Sequence, residues 1–440
     1  MRERIIASIR DAGVVGAGGA GLPTHVKADA SVDTVLVNGA SCEPLLMSDP
    51  YLMEAEIGTL VRGLEALLDC TGAQKGVICL KGKHAEALKV ARDAVKGNGR
   101  LAVFELEDFY PAGDEHVLVH EVLGRTVPER GIPLQVGAVV SNVETLCNVA
   151  LALDGKPVTH RYLTVGGEVR KPMVVKVPVG TPVMDVLNFA GGATIADYKV
   201  VDGGPMMGRV LPDAAEASVG KTTSGLLVLA PEHTVVARKI MDPDRVRRIT
   251  NTICCQCSQC TDLCPRKLLG HSLHPHKLMR VLASQDFTAA VAREALLCSE
   301  CGICEKFACP MLVSPREVNA QIKQRLMKEG IRWEGSGTAP KVNPFRGARR
   351  VPTKRLLQRL DLVRYDAHPG FAGGFEPSLV RISLRQHLGA PAVCVVSPGA
   401  KVQRGDLIGE LPEKAMGARV HASITGTIES VADGVITIRA

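Results

Sequence analysis

Cys254, Cys257, Cys260 and Cys264 stand ahead of Pro265, and Cys298, Cys301, Cys304 and Cys309 ahead of Pro310, so eight of the fourteen cysteines fall into two near-repeats. Three thiols at two-residue intervals followed by a terminal Cys-Pro are the ligand pattern of a [4Fe-4S] cubane. Three thiolates in one tight loop reach three irons, and the last iron takes a distant cysteine followed by proline. In two-cluster arrangements that fourth cysteine crosses to the other cluster. The expected sets are therefore Cys254, Cys257, Cys260 and Cys309 for one cluster, and Cys298, Cys301, Cys304 and Cys264 for the other. Such a pair moves electrons, and the crossing would lock both halves into one small module.

Structural zinc is the competing reading, because paired Cys-x-x-Cys units also make four-cysteine sites. Two near-repeats with three thiols each and a terminal Cys-Pro fit zinc poorly. Cys255 lies off the repeat and is not expected to be a ligand. Cys42, Cys70, Cys79, Cys147 and Cys394 are scattered singly and read as free, buried thiols.

A second chemistry-bearing stretch is Gly16-Ala-Gly18-Gly19-Ala-Gly21-Leu22-Pro23-Thr24. It contains a literal Gly-x-Gly-x-x-Gly, but a dinucleotide fingerprint needs a strand before the glycines, and here a helix-like segment, Arg4 to Arg10, precedes them. Four glycines without side chains let backbone amides approach a phosphate or an isoalloxazine ring, with Lys27 as a possible countercharge. A plain glycine-rich turn is the alternative.

The elements around these residues alternate. Strand-like runs at Thr34 to Val37, Gly76 to Leu80 and Leu101 to Leu106 are separated by helical stretches at Glu54 to Leu68 and His84 to Ala94, which predicts an α/β layered domain. Asn38, Glu43, Lys81, Glu107, Asp108 and Glu115 follow strands or sit in their connections, where such domains place ligands.

Composition narrows the class. Net charge is +7 and aromatics are 3%. The basic residues are dispersed apart from groups such as Arg245-Val-Arg-Arg248 and Arg349-Arg350, so the concentrated cationic face and stacking rings of a nucleic-acid binder are missing. The charge reads as a solvated face or as favouring acidic electron-transfer partners. No leader-like segment and no uncharged apolar run of ~18 to 20 residues is visible, so a soluble, cytoplasmic protein with no integral membrane segment is expected. At roughly 100 to 200 residues per domain, the 440 residues suggest two to four domains.

Four motifs in order make the resemblance specific: the glycine stretch, Asn38-Gly-Ala-Ser-Cys-Glu43-Pro44, Tyr110-Pro-Ala-Gly113-Asp-Glu115 and Ser141-Asn142-Val-Glu144-Thr145. Together they resemble the FMN/NADH-binding domain shared by the 51-kDa flavoprotein subunit of respiratory complex I and the RnfC-like electron-transport proteins, over residues 1–155. The resemblance implies a non-covalent FMN held by Gly16, Gly18, Gly19, Gly21, Asn38 and the loop of Asn142, Glu144 and Thr145. Lys27, Glu43 and Glu115 would lie towards the NADH side. Leu22 stands where the family commonly carries phenylalanine, which removes an aromatic contact to the nucleotide.

The resemblance continues along the chain. Residues 159–235, with Tyr162-Leu-Thr-Val-Gly166-Gly167, a helix at Val183 to Phe189 and Gly203-Gly204-Pro205-Met206-Met207-Gly208, resemble the soluble-ligand-binding β-grasp (SLBB) domain, here expected to be a scaffold. Residues 240–335 are expected to form a helical two-[4Fe-4S] ferredoxin-like module, with helix-like connections at Pro275-His-Lys-Leu-Met-Arg and Ala289 to Leu297. His271, His274 and His276 read as solvated or capping. The basic, Gly- and Pro-interrupted stretch from Lys323 to Lys354 suggests a linker or extended arm, assigned to 336–380. Residues 381–440 resemble the RnfC-type barrel-sandwich hybrid domain, a relative of lipoyl and biotinyl carriers, and Lys414 reads as a surface loop residue in place of a carrier lysine. The expected fold class is multidomain α/β and β.

Membrane Rnf complexes place the sandwich before the flavin domain. The order here resembles the PduS-type cobalamin reductases of propanediol-utilisation microcompartments. That resemblance implies NADH-dependent electron transfer through FMN and two [4Fe-4S] clusters to a corrinoid, reduced from cob(III)alamin towards cob(I)alamin, inside a bacterial microcompartment. Implied partners are a corrinoid adenosyltransferase or another electron acceptor, shell proteins, and a second copy of the chain in a homo-oligomer. No Asp-x-His-x-x-Gly corrinoid motif occurs in the sequence. Two alternatives stay open: an electron-input subunit of a membrane Rnf-like NADH:ferredoxin oxidoreductase, and a non-enzymatic relay protein of a glycyl-radical microcompartment.

Overall fold

A computed structural model describes residues 1–335, 340–413 and 415–440. Lys414 therefore lies outside the described residues. The N-terminal layer is a four-stranded parallel sheet in the order Leu101–Leu106, Lys75–Lys81, Thr34–Gly39, Ala138–Asn142. Along the central strands, Val35, Val37, Ile78 and Leu80 face one apolar cluster while Leu36, Val77 and Cys79 face another. Both faces of the sheet are thus covered, which is why these strands read as near-continuous apolar runs.

The single helix expected over Glu54 to Leu68 is two, Ser48–Ala55 and Ile57–Thr71, broken at Glu56. The second lies against Val143–Leu153, and a Cβ on Gly63 would collide with the Leu146 carbonyl, so the pair packs at a separation only glycine allows. The register places Asn38 beside Asn142 at the C-terminal ends of adjacent strands. That edge, with the glycine loop beside Asn142, is where an α/β layer binds ligands.

The next layer is a six-stranded sheet, ordered Phe371–Gly374, Met173–Pro178, His160–Gly167, Gly225–Leu229, Lys199–Asp202, Arg209–Val210, with the helix Val183–Phe189 burying Val183, Val186 and Leu187 against it. The cysteine-rich region is helical, built on Pro243–Ile253, Pro275–Ser284 and Pro315–Lys328 around a core that includes Leu278, Leu282, Val318 and Ile322. The C-terminal part comprises two small sheets, Leu379–Ser383 with Val435–Arg439, Gly426–Ala432 and Lys401–Val402, and Val393–Cys394 with Leu407–Glu410 and Val420–His421, packed over Ile382, Ile408, Ile428 and Ile436.

The stretch expected as a linker differs most from expectation. Lys323 to Lys328 close the helix Pro315–Lys328. Further along, Val351–Pro352 pair antiparallel with Phe109–Tyr110, and the following helix Thr353–Arg359 buries Leu356 and Leu357. Phe371–Gly374 then join the six-stranded sheet beside Met173–Pro178. Two of its arginines are held by acids of the first layer, Arg350 by Glu107 at 2.6 Å and Glu121 at 2.8 Å and Arg346 by Glu121 at 2.5 Å, while Arg349 pairs with Asp262 and Arg364 with Glu168. The segment is a strap, because its leucines find a core and its charges find partners far away in sequence.

Candidate functional site

The eight cysteines gather around two hollows. Cys254, Cys257, Cys260 and Cys309 line one, and Cys264, Cys298, Cys301 and Cys304 line the other. In each, three thiols come from one run and the fourth from the other. The local reason is the Cys-Pro: Cys264 and Cys309 are extended residues that turn the chain away from their own loop, and Pro265 starts a new helix. Among the described residues no three Cys, His, Asp or Glu side chains converge on one point able to hold a single ion. Thiols arranged around a hollow suit a cubane and not a zinc ion, whose sulfur ligands sit at about 2.3 Å.

Burial and the neighbouring thiols push Cys260 up to about 12, and burial does the same for Cys264. Such groups become thiolates in this setting only with cationic metal to compensate, as a cluster supplies. The first hollow is the more exposed, with Cys257 at the surface; Cys255 also lies on its rim, exposed. The second is enclosed and flanked by Arg316 and Asn319, whose amide lies 3.7 Å from the Cys298 sulfur.

A cavity of about 450 Å³ opens beside the second hollow. Its walls include Gly16, Gly18, Lys27, Asn38, Glu43, Glu115 and Asn142 from the expected set. Ser299 and Cys301 line both this cavity and the second hollow, and Arg266 stands between them. Arg266 pairs with Asp114 at 2.9 Å, while its Nη1 is buried without a protein partner. An orphaned guanidinium nitrogen at that boundary suits an anionic group, a flavin phosphate or a cluster sulfur. A Cβ at Gly113 would come within 2.8 Å of Asn38 Oδ1 and 3.1 Å of the Cys42 sulfur, so the wall is tight backbone. Cys42 accepts from the Gly113 N–H at 2.7 Å, and burial raises its thiol to about 11, which leaves it protonated and unreactive.

The other expected residues, and two that line the cavity, are fixed by the partners around them. Glu144 is buried and pairs with Arg161 at 2.6 Å; Arg161 also donates to the carbonyls of Ala17 at 2.7 Å and Thr223 at 2.6 Å. Thr145 accepts from the Ala17 N–H at 2.9 Å, pinning the glycine loop. Gly19 and Gly21 carry positive φ values of 103° and 67° and shape the turn without lining the cavity. Asn142 caps the helix Val143–Leu153 through Glu144 and Thr145 amides, and its Nδ2 donates to Asp49 at 3.0 Å. Lys27 pairs with Glu115 at 2.8 Å and donates to the Val140 carbonyl at 2.8 Å.

Glu43 points at the β-grasp layer. Its carboxylate accepts from the Met206 and Met207 N–H groups at 2.8 and 2.7 Å. From the cysteine-rich region, Lys306 donates to the Pro205 and Met206 carbonyls at 2.9 and 2.6 Å, and Lys239 donates to Met206 and Gly208. The Gly203–Gly208 turn is therefore gripped from both sides. Tyr110, 2% exposed, donates to the Cys301 carbonyl at 2.7 Å and ties the cavity wall to the second hollow.

Sequence reasoning missed Asp49, Tyr110, Asp114, Arg161 and Arg266. Only Tyr110 and Asp114 stand inside a recognised motif, and the others are brought in by tertiary packing. Lys81, expected in a ligand-bearing connection, is fully buried and pairs with Asp108 at 3.0 Å. The three histidines are engaged instead of solvated: His271 is buried on the Val127 carbonyl at 3.0 Å, His274 pairs with Glu294 at 2.9 Å, and His276 bonds Thr261 at 2.7 Å.

Four families of known domains match the chain in this order: the Nuo51 FMN-binding domain over residues 9–151, the SLBB domain over 162–210, a 4Fe-4S dicluster domain over 253–314, and the RnfC barrel-sandwich hybrid domain over 374–439. The chain therefore carries an FMN-binding domain and a domain for two [4Fe-4S] clusters. It is 42% identical to cobalamin reductase PduS of Salmonella typhimurium and 41% identical to cobalamin reductase PduS of Citrobacter freundii, covering all of this chain and 96% of each relative. It is 35% identical to one component of the Na(+)-translocating ferredoxin:NAD(+) oxidoreductase complex of Acetobacterium woodii, over 60% of this chain and 58% of that one. No described helix is long and apolar enough to cross a membrane.

Proposed function

This chain belongs to the family of the PduS cobalamin reductases, and we propose that it is an NADH-dependent flavin iron-sulfur oxidoreductase that delivers electrons to a corrinoid. Bound FMN would accept the two-electron hydride of NADH and release electrons singly to the two [4Fe-4S] clusters. The observation that carries this reading is the shared wall: Ser299 and Cys301 belong to the flavin-sized cavity and to the second cysteine-lined hollow alike.

The chain's own residues bind and orient. Gly16 and Gly18 let the backbone approach the ring, Asn142 packs beside Gly18 and Asn38 lines the same cavity, and Lys27 with Glu115 offers charge to the nucleotide. Cys254, Cys257, Cys260 and Cys309 would hold one cluster, and Cys264, Cys298, Cys301 and Cys304 the other. Tyr110, through the Cys301 carbonyl, and Arg266, through Asp114, tie the cavity wall to the second hollow. No side-chain nucleophile is required.

Membership in this family also supports a cytoplasmic place within a bacterial microcompartment, with a corrinoid adenosyltransferase as the protein that uses the product, contacts to shell proteins, and self-association. Residues 1–155, 159–235, 240–335 and 381–440 are proposed as the working domains, tied together by the strap. The direct test is anaerobic reconstitution with iron, sulfide and FMN, followed by stopped-flow absorbance on adding NADH and then cob(III)alamin. Flavin bleaching, then cluster bleaching, then reoxidation by the corrinoid is expected. Filled clusters that NADH never bleaches would reject the proposal and favour a relay fed by another protein.

A further inference from the structure

The two hollows have different neighbours. The second shares Ser299 and Cys301 with the flavin-sized cavity, whereas the first shares Gln256 and His276 with a solvent-open groove of about 650 Å³ along the helix Pro275–Ser284. The Gln256 amide donates to the Cys254 sulfur at 3.3 Å and to the His276 carbonyl at 3.1 Å, so one side chain forms both the wall of the hollow and the end of the groove. Lys277 and Arg280, exposed on successive turns of the helix Pro275–Ser284, line the groove, and neither is ion-paired among the described residues. Ala283 and Val291 add apolar surface.

We propose that this groove is the acceptor site, and that the corrinoid binds there directly; the inference rests on the corrinoid reading above and adds where and how it docks. A corrinoid is a broad ring with apolar faces, a rim of amides and one phosphodiester. The groove supplies chemistry of that kind: Lys277 and Arg280, set against the single carboxylate Asp286, for the phosphodiester, the side chains of Gln256, His276 and Ser284 for rim amides, and alanine and valine for the ring. Its volume of about 650 Å³ lies within the 300 to about 1000 Å³ usual for small-molecule clefts. Electrons then enter by the second hollow and leave by the first. Each NADH loses a hydride to become NAD+, giving two electrons and one proton, and each electron reduces one cobalt: NADH + 2 cob(III)alamin → NAD+ + H+ + 2 cob(II)alamin.

The test is equilibrium dialysis of hydroxocobalamin against the FMN- and cluster-loaded protein, the double variant Lys277→Glu/Arg280→Glu, and Ala283→Trp, which fills the groove without altering charge. Iron and FMN content report that each variant is folded. The wild-type chain should bind, and both variants should bind about tenfold more weakly or worse, a loss of about 1.4 kcal/mol. Equal binding by all three overturns the groove while leaving the corrinoid reading intact. A wild-type protein whose clusters bleach with NADH but which neither binds nor reduces corrinoid sinks both. Corrinoid binding or reduction that appears only when an adenosyltransferase is added overturns direct docking.

Discussion

Arg161 and Glu144 lie 2.6 Å apart with about 4% of either side chain exposed, and the same guanidinium holds the Ala17 carbonyl of the glycine loop. A strand of the β-grasp layer thereby fixes the flavin-side loop of the first layer. Removing one member of a buried pair strands the other and costs about 3–5 kcal/mol. Arg161→Met should lower the melting temperature and release FMN, read as flavin lost on gel filtration. Full FMN retention in a folded variant would mean that the loop holds itself.

The crossed cysteine sets make a separable prediction. Cys309→Ala should empty the hollow of Cys254, Cys257 and Cys260 and cut bound iron from about eight to about four atoms, while Cys255→Ser should keep all of it. Loss of the other cluster on changing Cys309, read by low-temperature electron paramagnetic resonance, would show that each run serves its own cluster.

The sequence motif directs Glu43 towards the nucleotide, yet its carboxylate holds two backbone amides of the Met206 turn. Glu43→Gln leaves at least one of them short of an acceptor, at a cost of about 1–3 kcal/mol. The expected outcome is a lower melting temperature and slower cluster bleaching with an unchanged KM for NADH. A raised KM with unchanged stability would return Glu43 to the nucleotide.

Arg266, with one buried nitrogen unpartnered beside the second hollow, should raise the potential of the cluster it faces, because nearby positive charge favours the reduced state. Arg266→Gln should shift that cluster to a more negative midpoint in a redox titration and leave the other unmoved. Equal shifts in both would indicate a general loosening.

Burial, aided by nearby cations, pushes His84 and His160 down to about 4 and His421 to about 3. An unfolded imidazole titrates near 6.5, so these groups contribute stability that is complete above about pH 6.5 and is lost as pH falls towards their folded values. Burial is the main cause at His421, with the nearby charges of Lys221 and Arg419 adding to it. His421→Leu should therefore melt with a shallower fall than wild type between pH 7 and 5. Parallel curves would remove His421 from the acid response.

The sequence carries the parts whose signal is local. Cysteine spacing foretells which thiols share a hollow, and strands such as Leu101–Leu106 and the helix Val183–Phe189 appear with the expected bounds. Glu144 and Thr145 are legible as neighbours of the site but not as its supports, because their partners Arg161 and Ala17 are set by packing across layers. Asp49 and Arg266 sit in no recognisable pattern and become site residues only through the fold. The strap escapes a linear reading for the same reason: Arg350 and Leu356 look like a polar, broken stretch until Glu107, Glu121 and a buried apolar cluster are placed beside them.

The strap also bears on how such chains can be rearranged. Val351–Pro352 complete a ribbon with the first layer and Phe371–Gly374 complete the edge of the β-grasp sheet, both before the sandwich begins. Units that look interchangeable along the gene are laced together in space, so moving the sandwich to the other end is not a simple transplant. A hybrid cut at residue 336 would leave two unpaired strand edges behind, an invitation to stick to other chains, and a recombination event that succeeded would have to carry the lacing with the piece it moves.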